Sequence, residues 1–377
     1  MKKAAIIIPT YNEKGNIEQL VEDIFRVSSR IPNWEIEVVI IDSNSPDGTG
    51  KIVEYLVQKY PRLHLLKTEK EGLGKAYVKG FRIAMEKLKP YLLFEMDADL
   101  SHDPNLLPAF FEKIEKGADF VIGSRYIRGG SIPSDWGWER KVLSVLGNLA
   151  IRFGFMKLSI TDWTSGYRAI KVWIVKDAFT HTKQYTGYVF QVALLDLAIS
   201  KHARIAEVPL KFIDRKNGVS KINSVQYVVQ TLWYVFTHSS FIKFVIVGVL
   251  GFAIDFGFAY TFINFFKITK TLSNMFSAEV AIVCNFFINN FLSFRHKKIE
   301  GGFLAYAGKF FVFNFVSLGS IIIQGAGMFL SLKFLGDTRL ALLGGISSWI
   351  LYKVFIIDLL IIPYSYVLYN RVVWRNK

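Results

Sequence analysis

"MDADLSHDP", residues 96–104, comes directly after the apolar run Tyr91–Phe94 and Glu95. A buried strand that ends in Asp97, Asp99 and Asp103 sets like charges side by side, and such a cluster needs a cation or a solvated loop. The surrounding sequence repeats the arrangement. "AAIIIPTYNE" (4–13) and "EIEVVIIDSNSPDGTG" (35–50) are apolar runs that enter polar loops, and "RLHLLKTE" (62–69) and "ADFVIGSRY" (118–126) read as further strands. Between them, "IEQLVEDIFRVSSR" (17–30), "KIVEYLVQKY" (51–60), "KAYVKGFRIAMEKL" (75–88) and "LLPAFFEKIEKG" (106–117) read as helices. This alternation predicts an α/β fold with a mostly parallel sheet between helices. In such sheets ligands bind beyond the carboxyl ends of the strands. Tyr11, Glu13, Asp42, Asp97, Asp99 and Arg125 all fall at or just past those ends, which predicts a single anionic cleft.

Two carboxylates one residue apart where a strand turns, Asp97 and Asp99, can converge on one hard cation. Mg²⁺ or Mn²⁺ takes oxygen ligands, commonly from one or two carboxylates, with water and substrate phosphates supplying the rest. A solvated turn is the alternative for a bare D-x-D. Asp103, before Pro104, reads as a helix cap, and His102 as a loop histidine rather than a base. The dinucleotide fingerprint is absent, and "GLGKAYVKG" (72–80) lacks phosphate-loop spacing.

The chain has 377 residues, 51% of them hydrophobic, and a formal net charge of +15. One cysteine, Cys284, rules out an intrachain disulfide framework. The basic balance fits an anionic membrane surface or phosphate groups; no nucleic-acid motif accompanies it. The start, Met1-Lys2-Lys3 and then Ala4–Ile8, imitates a signal peptide, but five apolar residues before Pro9 are too few for one. Up to about Ser240 charged and apolar segments alternate. Beyond it, four stretches, about 241–266, 272–294, 310–332 and 340–362, are long and apolar enough to span a bilayer. The expected organisation is a catalytic domain over 1–220, an amphipathic helix at the membrane surface over 221–240, and a four-span all-α membrane domain over 241–377. Arg295, Lys297, Lys298, Arg371, Arg375 and Lys377 bias the ends that would face the cytoplasm, so the catalytic domain and both termini are expected there. Lys243, Asp255, Glu279, Lys353 and Asp358 fall in or near the spans and are expected to pair within the bundle or reach the interface. The segment 136–156, apolar with Arg140, Lys141 and Arg152, reads either as an acceptor-side surface or as a core helix.

"IIIPTYNE" (6–13), "IIDSNSPDGT" (40–49), "GLGKAY" (72–77), "MDADLSHDP", "GSRYIRGG" (123–130), "WGWERKVLS" (136–144), "TSGYRAIK" (164–171), "GYVFQ" (187–191) and "EVPLKFIDRKNGVSK" (207–221) occur in one order. Together they resemble the dolichyl-phosphate mannose synthases, family-two inverting glycosyltransferases of the GT-A, Rossmann-like fold. The four-span tail resembles the small GtrA-type membrane domain fused to some of them. The resemblance implies that Pro9, Tyr11, Glu13 and Asp42 contact the nucleotide base and ribose. It sets Asp97 and Ala98 along the nucleotide sugar and puts Asp97 and Asp99 on the metal. It gives donor and acceptor phosphates to Arg125, Arg215 and Lys221. Ser43 and Ser101 depart from the pattern, where relatives often have a second aspartate and some have a glutamine.

The implied reaction moves mannose from GDP-mannose to the phosphate of dolichol or another polyprenol in the lipid bilayer. A phosphate monoester, with its second pKa near ~6, is largely a dianion at neutral pH, so no general base is required. Two alternatives stand beside this reading. One is the same chemistry with UDP-glucose; the other is a membrane transporter or lipid-translocating module with a regulatory soluble domain.

Overall fold

The computed structural model describes residues 1–181, 189–214, 224–340 and 346–375. The chain divides into two compact units, Met1–Val235 and Phe236–Lys377. In the first, seven strands among the described residues form one sheet: β1 (Lys2–Thr10), β2 (Trp34–Asp42), β3 (Leu63–Lys67), β4 (Leu92–Glu95), β5 (Phe120–Ser124), β6 (Arg168–Lys171) and β7 (Ile205–Pro209). Their order is β3-β2-β1-β4-β6-β5-β7. All neighbours run parallel except β6, which is antiparallel to both β4 and β5. Ala4 to Ile8 are wholly buried. A strand covered on both faces has no polar side, which is why β1 reads as an unbroken apolar run.

The helices of this unit are α1 (Ile17–Ser28), α2 (Thr49–Lys59), α3 (Leu73–Ile83), α4 (Leu107–Glu115), α5 (Trp138–Phe155), α6 (Val172–His181), α7 (Val189–Ser200) and α8 (Ser224–His238). The first of them buries Ile17, Leu20, Val21, Ile24 and Val27, one stripe at helical spacing. Gly80 lets α3 lie close on the sheet: a Cβ there would sit 2.4 Å from Ile7 Cγ2 and 3.1 Å from Ile41. Register then sets the site. Thr10 pairs with Asp42 and Ile7 with Glu95, so β1, β2 and β4 release their chains at one edge of the sheet.

Two features depart from the sequence reading, and a third decides between its alternatives. Strand β6 was not foreseen, because four residues are too few to show a period. The first unit runs past residue 220 to Val235, since α8 buries Tyr234 and Val235 and the Tyr234 hydroxyl donates to Asp196 of α7 at 3.0 Å. Of the two readings of 136–156, a surface helix is found: α5 buries only Asn148, Ile151, Gly154 and Phe155, and Trp138 is 73% exposed.

The second unit holds α9 (Ser240–Asn264), α10 (Lys270–Ile288), α11 (Phe303–Leu335), α12 (Ser348–Ile356) and α13 (Ile362–Leu368). The hydroxyl of Ser239 caps α9 by accepting from the Ile242 N–H at 3.0 Å. Wide π-type turns extend α10 through Asn289–Ser293, join α12 to α13 through Ile357–Ile361 and follow α13 over Tyr369–Val373. Among the described residues four stretches are long and apolar enough to cross a membrane: Ser240–Asn264, Phe276–Ser293, Phe303–Leu335 and Val354–Val373. The helix that carries the fourth begins at Ser348 rather than near 340. Its apolar run opens in a two-residue strand, Arg339–Leu340 paired with Ile346–Ser347, which hydropathy alone does not distinguish from helix. Asp255 accepts from the Ser277 hydroxyl at 2.5 Å.

Candidate active site

The chain leaves β4 into the acidic turn. Asp97 donates its backbone N–H to His102 Nδ1 at 2.9 Å, and its Oδ1 accepts from the Tyr77 hydroxyl at 3.3 Å. An accepting Nδ1 puts the proton of the neutral ring on Nε2, which lies 3.7 Å from Asp97 Oδ2. His102 is buried and stacks on Tyr167, ring centroids 5.0 Å apart. It braces the turn rather than lying loose in it. Asp99 Oδ1 accepts from the backbone and hydroxyl of Ser101 at 3.1 and 2.6 Å. Between them Leu100 takes a φ of +64°, a conformation a bulky residue adopts at some cost, as functional turns often do. Asp103 caps the next turn by accepting from the Asn105 N–H at 2.9 Å.

Asp97, Asp99, His102 and Arg125 line a cavity of about 460 Å³. Its other walls come from α5 (Arg140, Leu143, Ser144, Ile151), from Phe212, and from α8 (Tyr227, Val228, Leu232). Along the two helices aliphatic side chains (Leu143, Ile151, Val228, Leu232) alternate with polar ones (Arg140, Ser144, Asn148, Tyr227, Thr231). Arg125 follows β5, and Asp162 Oδ2 accepts from its Nε at 2.7 Å while Oδ1 accepts from Nη2 at 2.8 Å. Burial alone would lower the guanidinium's pKa; the Asp162 charge overrides it and raises the value.

Beneath the turn, Glu95 and Arg168 are both fully buried, with Arg168 Nε 3.8 Å from Glu95 Oε2. Burial pushes the Glu95 carboxyl up to about 7, with Asp97 adding to the rise and Arg168 opposing it. Arg168 is held in place by the carbonyls of Ser165, Gln191 and Trp163.

The other sequence candidates sit at the ends of β1 and β2, outside this cavity's lining. Pro9 lies in β1 opposite Ile41. Lys70 Nζ lies 3.8 Å from the centroid of the Tyr11 ring. Glu13 accepts from Asn16 Nδ2 at 2.8 Å and donates its backbone N–H to the Thr49 hydroxyl at 3.0 Å. Both Asp42 oxygens serve the loop: Oδ1 accepts from the hydroxyls of Thr10 and Ser45, Oδ2 from the Ser45 N–H. Ala98 is buried between the two acids. Arg215 and Lys221 lie outside the described residues. Asp162 and Gln191 belong to the site and escaped the sequence reading, Asp162 because a lone acid among Thr161, Trp163 and Thr164 has no distinguishing pattern.

Residues 5–178 match the glycosyl transferase family 2 domain, and residues 243–374 match the GtrA/DPMS transmembrane domain. The dolichol-phosphate mannosyltransferase of Pyrococcus furiosus is 30% identical over 300 residues, which covers 78% of this chain and 81% of that protein. The polyprenol monophosphomannose synthase of Mycolicibacterium smegmatis is 38% identical over 224 residues, 59% of this chain and 82% of that one. The undecaprenyl-phosphate mannosyltransferase of Micrococcus luteus is 39% identical over 218 residues, 58% and 86% of the respective chains.

Proposed function

Because the chain belongs to the dolichol- and polyprenol-phosphate mannosyltransferases of glycosyltransferase family 2, we propose that it moves mannose from GDP-mannose to a polyprenyl phosphate such as dolichyl phosphate, with inversion at the sugar carbon. The observation that carries this is the mixed lining of one cavity. Asp97, Asp99 and Arg125 share it with the apolar side chains of Leu143, Ile151, Phe212, Val228 and Leu232. A lipid with an anionic head needs both kinds of wall.

In this reading the nucleotide lies over the ends of β1 and β2, beside Pro9, Tyr11, Glu13 and Asp42, and its sugar runs past Ala98. The carboxylates of Asp97 and Asp99 suit a hard divalent ion, Mg²⁺ or Mn²⁺. Among the described residues no three acids, histidines or cysteines are arranged to hold an ion by themselves; such ions accept two carboxylates and take the remainder from water and phosphate. Bound there, the ion would supply countercharge to the departing diphosphate. Arg125 adds hydrogen-bond donors fixed before the reaction. Arg215 and Lys221, at the foot of the sequence that leads into α8, would receive the acceptor phosphate. That phosphate attacks the sugar carbon as the diphosphate leaves, and its own charge makes a protein base unnecessary.

The chain is an integral membrane protein, and we assign the catalytic unit and both termini to the cytoplasmic side from the basic residues that flank the spans. Confining enzyme and acceptor to one surface raises their effective concentration. The test is an assay of the full chain in detergent with divalent metal, dolichyl phosphate and labelled GDP-mannose or UDP-glucose, with Asp99→Asn as control. Mannosyl transfer that is abolished by chelation and lowered about 100-fold or more in Asp99→Asn is expected. Transfer from UDP-glucose alone, or full activity in the control, would overturn the reading.

A further inference from the structure

We infer that Asp162 is a positioning residue for the transfer, holding the Arg125 guanidinium in one orientation against the cavity. This rests on the function proposed above, and it assigns a role to a carboxylate that has none there. The side chain of Asp162 is wholly buried, and that of Arg125 is 10% exposed. The carboxylate is saturated: besides Arg125 Nε and Nη2 it accepts from the backbone N–H groups of Arg125 (3.1 Å), Thr164 (3.2 Å) and Ser165 (3.0 Å). The loop that bears it is fastened in turn. Glu207 Oε1, from β7, accepts from the N–H of Thr161 and of Asp162 at 3.0 and 3.1 Å, and from the Thr161 hydroxyl at 2.8 Å. Thr164 Oγ1 accepts from Arg125 Nη2 at 2.7 Å and from Asn148 Nδ2 at 3.3 Å, which ties the guanidinium to α5.

Two consequences follow from this geometry. With Nε and Nη2 occupied, the guanidinium cannot turn about its stem, so the edge it offers to a phosphate is set before substrate arrives. Preset donors cost no reorganisation when charge develops. The pair is also close to neutral, so Arg125 contributes directed hydrogen bonds and little net positive charge. Asp162→Asn would therefore release the arginine and unmask its charge together. Loss of aim lowers kcat; the unmasked charge favours an anionic nucleotide.

The experiment compares wild type, Asp162→Asn, Arg125→Gln and the double variant, as full chains in detergent with Mg²⁺. Three readouts are taken: kcat and donor KM for transfer to polyprenyl phosphate, GDP affinity by calorimetry, and melting temperature. Wild-type turnover tests the donor reading, and the ratios among variants test this one. Each single variant is expected to lose about 100-fold in kcat, and the double is expected to be no worse than Arg125→Gln within about three-fold. GDP affinity in Asp162→Asn should hold or rise. Losses that multiply in the double variant, or kcat in Asp162→Asn within about three-fold of wild type, would overturn the inference. If Asp162→Asn melts far below wild type, Arg125→Lys decides: it leaves both charges in place and removes the two-pronged grip of Asp162 on Nε and Nη2. A fall in kcat with GDP affinity kept supports the inference, and unchanged kcat overturns it.

Discussion

Replacing Asp196 by Asn should stabilise the catalytic unit at alkaline pH and do nothing for it in acid. Asp196 lies in α7, half-buried, and accepts the Tyr234 hydroxyl of α8 at 3.0 Å. Burial pushes its carboxyl from 3.8 up to about 6, against the pull of Tyr234 and Lys157. A carboxyl whose folded value is raised favours the folded state fully only below the unfolded value. That advantage drains away as pH climbs through about 6. The rise corresponds to about 3 kcal/mol lost by pH 8, at 1.36 kcal/mol for each pH unit, taken as an upper figure. An amide keeps the volume and the acceptor for Tyr234 but never ionises. For a unit of this size each kcal/mol moves the melting point by about 2–4 °C, so a gain of several degrees is expected at pH 8. The assay is thermal unfolding of the full chain in nanodiscs, followed by tryptophan fluorescence at pH 5 and pH 8. Hydrogen exchange over α7 and α8 would locate the effect. A variant no more stable than wild type at pH 8, or one whose advantage is as large at pH 5, would refute the reasoning.

Two further outcomes can be checked. His102→Asn, whose Oδ1 can accept the Asp97 N–H in place of Nδ1, should retain kcat within about 10-fold, whereas His102→Ala should lose about 100-fold; equal losses in steady-state turnover would show that this hydrogen bond does not set the turn. Gly80→Ala drives a methyl to 2.4 Å from Ile7 Cγ2 and should cost about 1–3 kcal/mol, read as a lowered melting temperature of the catalytic unit.

The α/β frame was legible because β1 and β2 are buried on both faces and so leave unbroken apolar runs, and because α1 carries its core stripe at regular spacing. The acidic turn was legible for a chemical reason: Asp97 and Asp99 are costly together and stand where a strand ends. Strand β6 was not, since Arg168–Lys171 owes its place to pairing with β4 and β5, a long-range fact that four residues do not record. Asp162 was hidden for a similar cause. Its partner Arg125 is 37 residues away, and nothing in the local sequence marks the pairing. His102 was read as a bystander because tautomer and stacking exist only once Asp97 and Tyr167 are in place. Hydropathy also set the start of the fourth span's helix too early, because it measures grease and not backbone shape.

The outward sides of α5 and α8 carry Trp138, Leu146, Phe153, Val229 and Trp233, with Trp233 67% exposed. Stripping away every spanning helix would therefore not turn the remainder into a freely dispersed protein. Two greasy flanks would stay behind on the sheet's own unit. They would drive it into micelles, onto vesicles or onto its own copies, and a preparation without detergent would have to be shielded from itself.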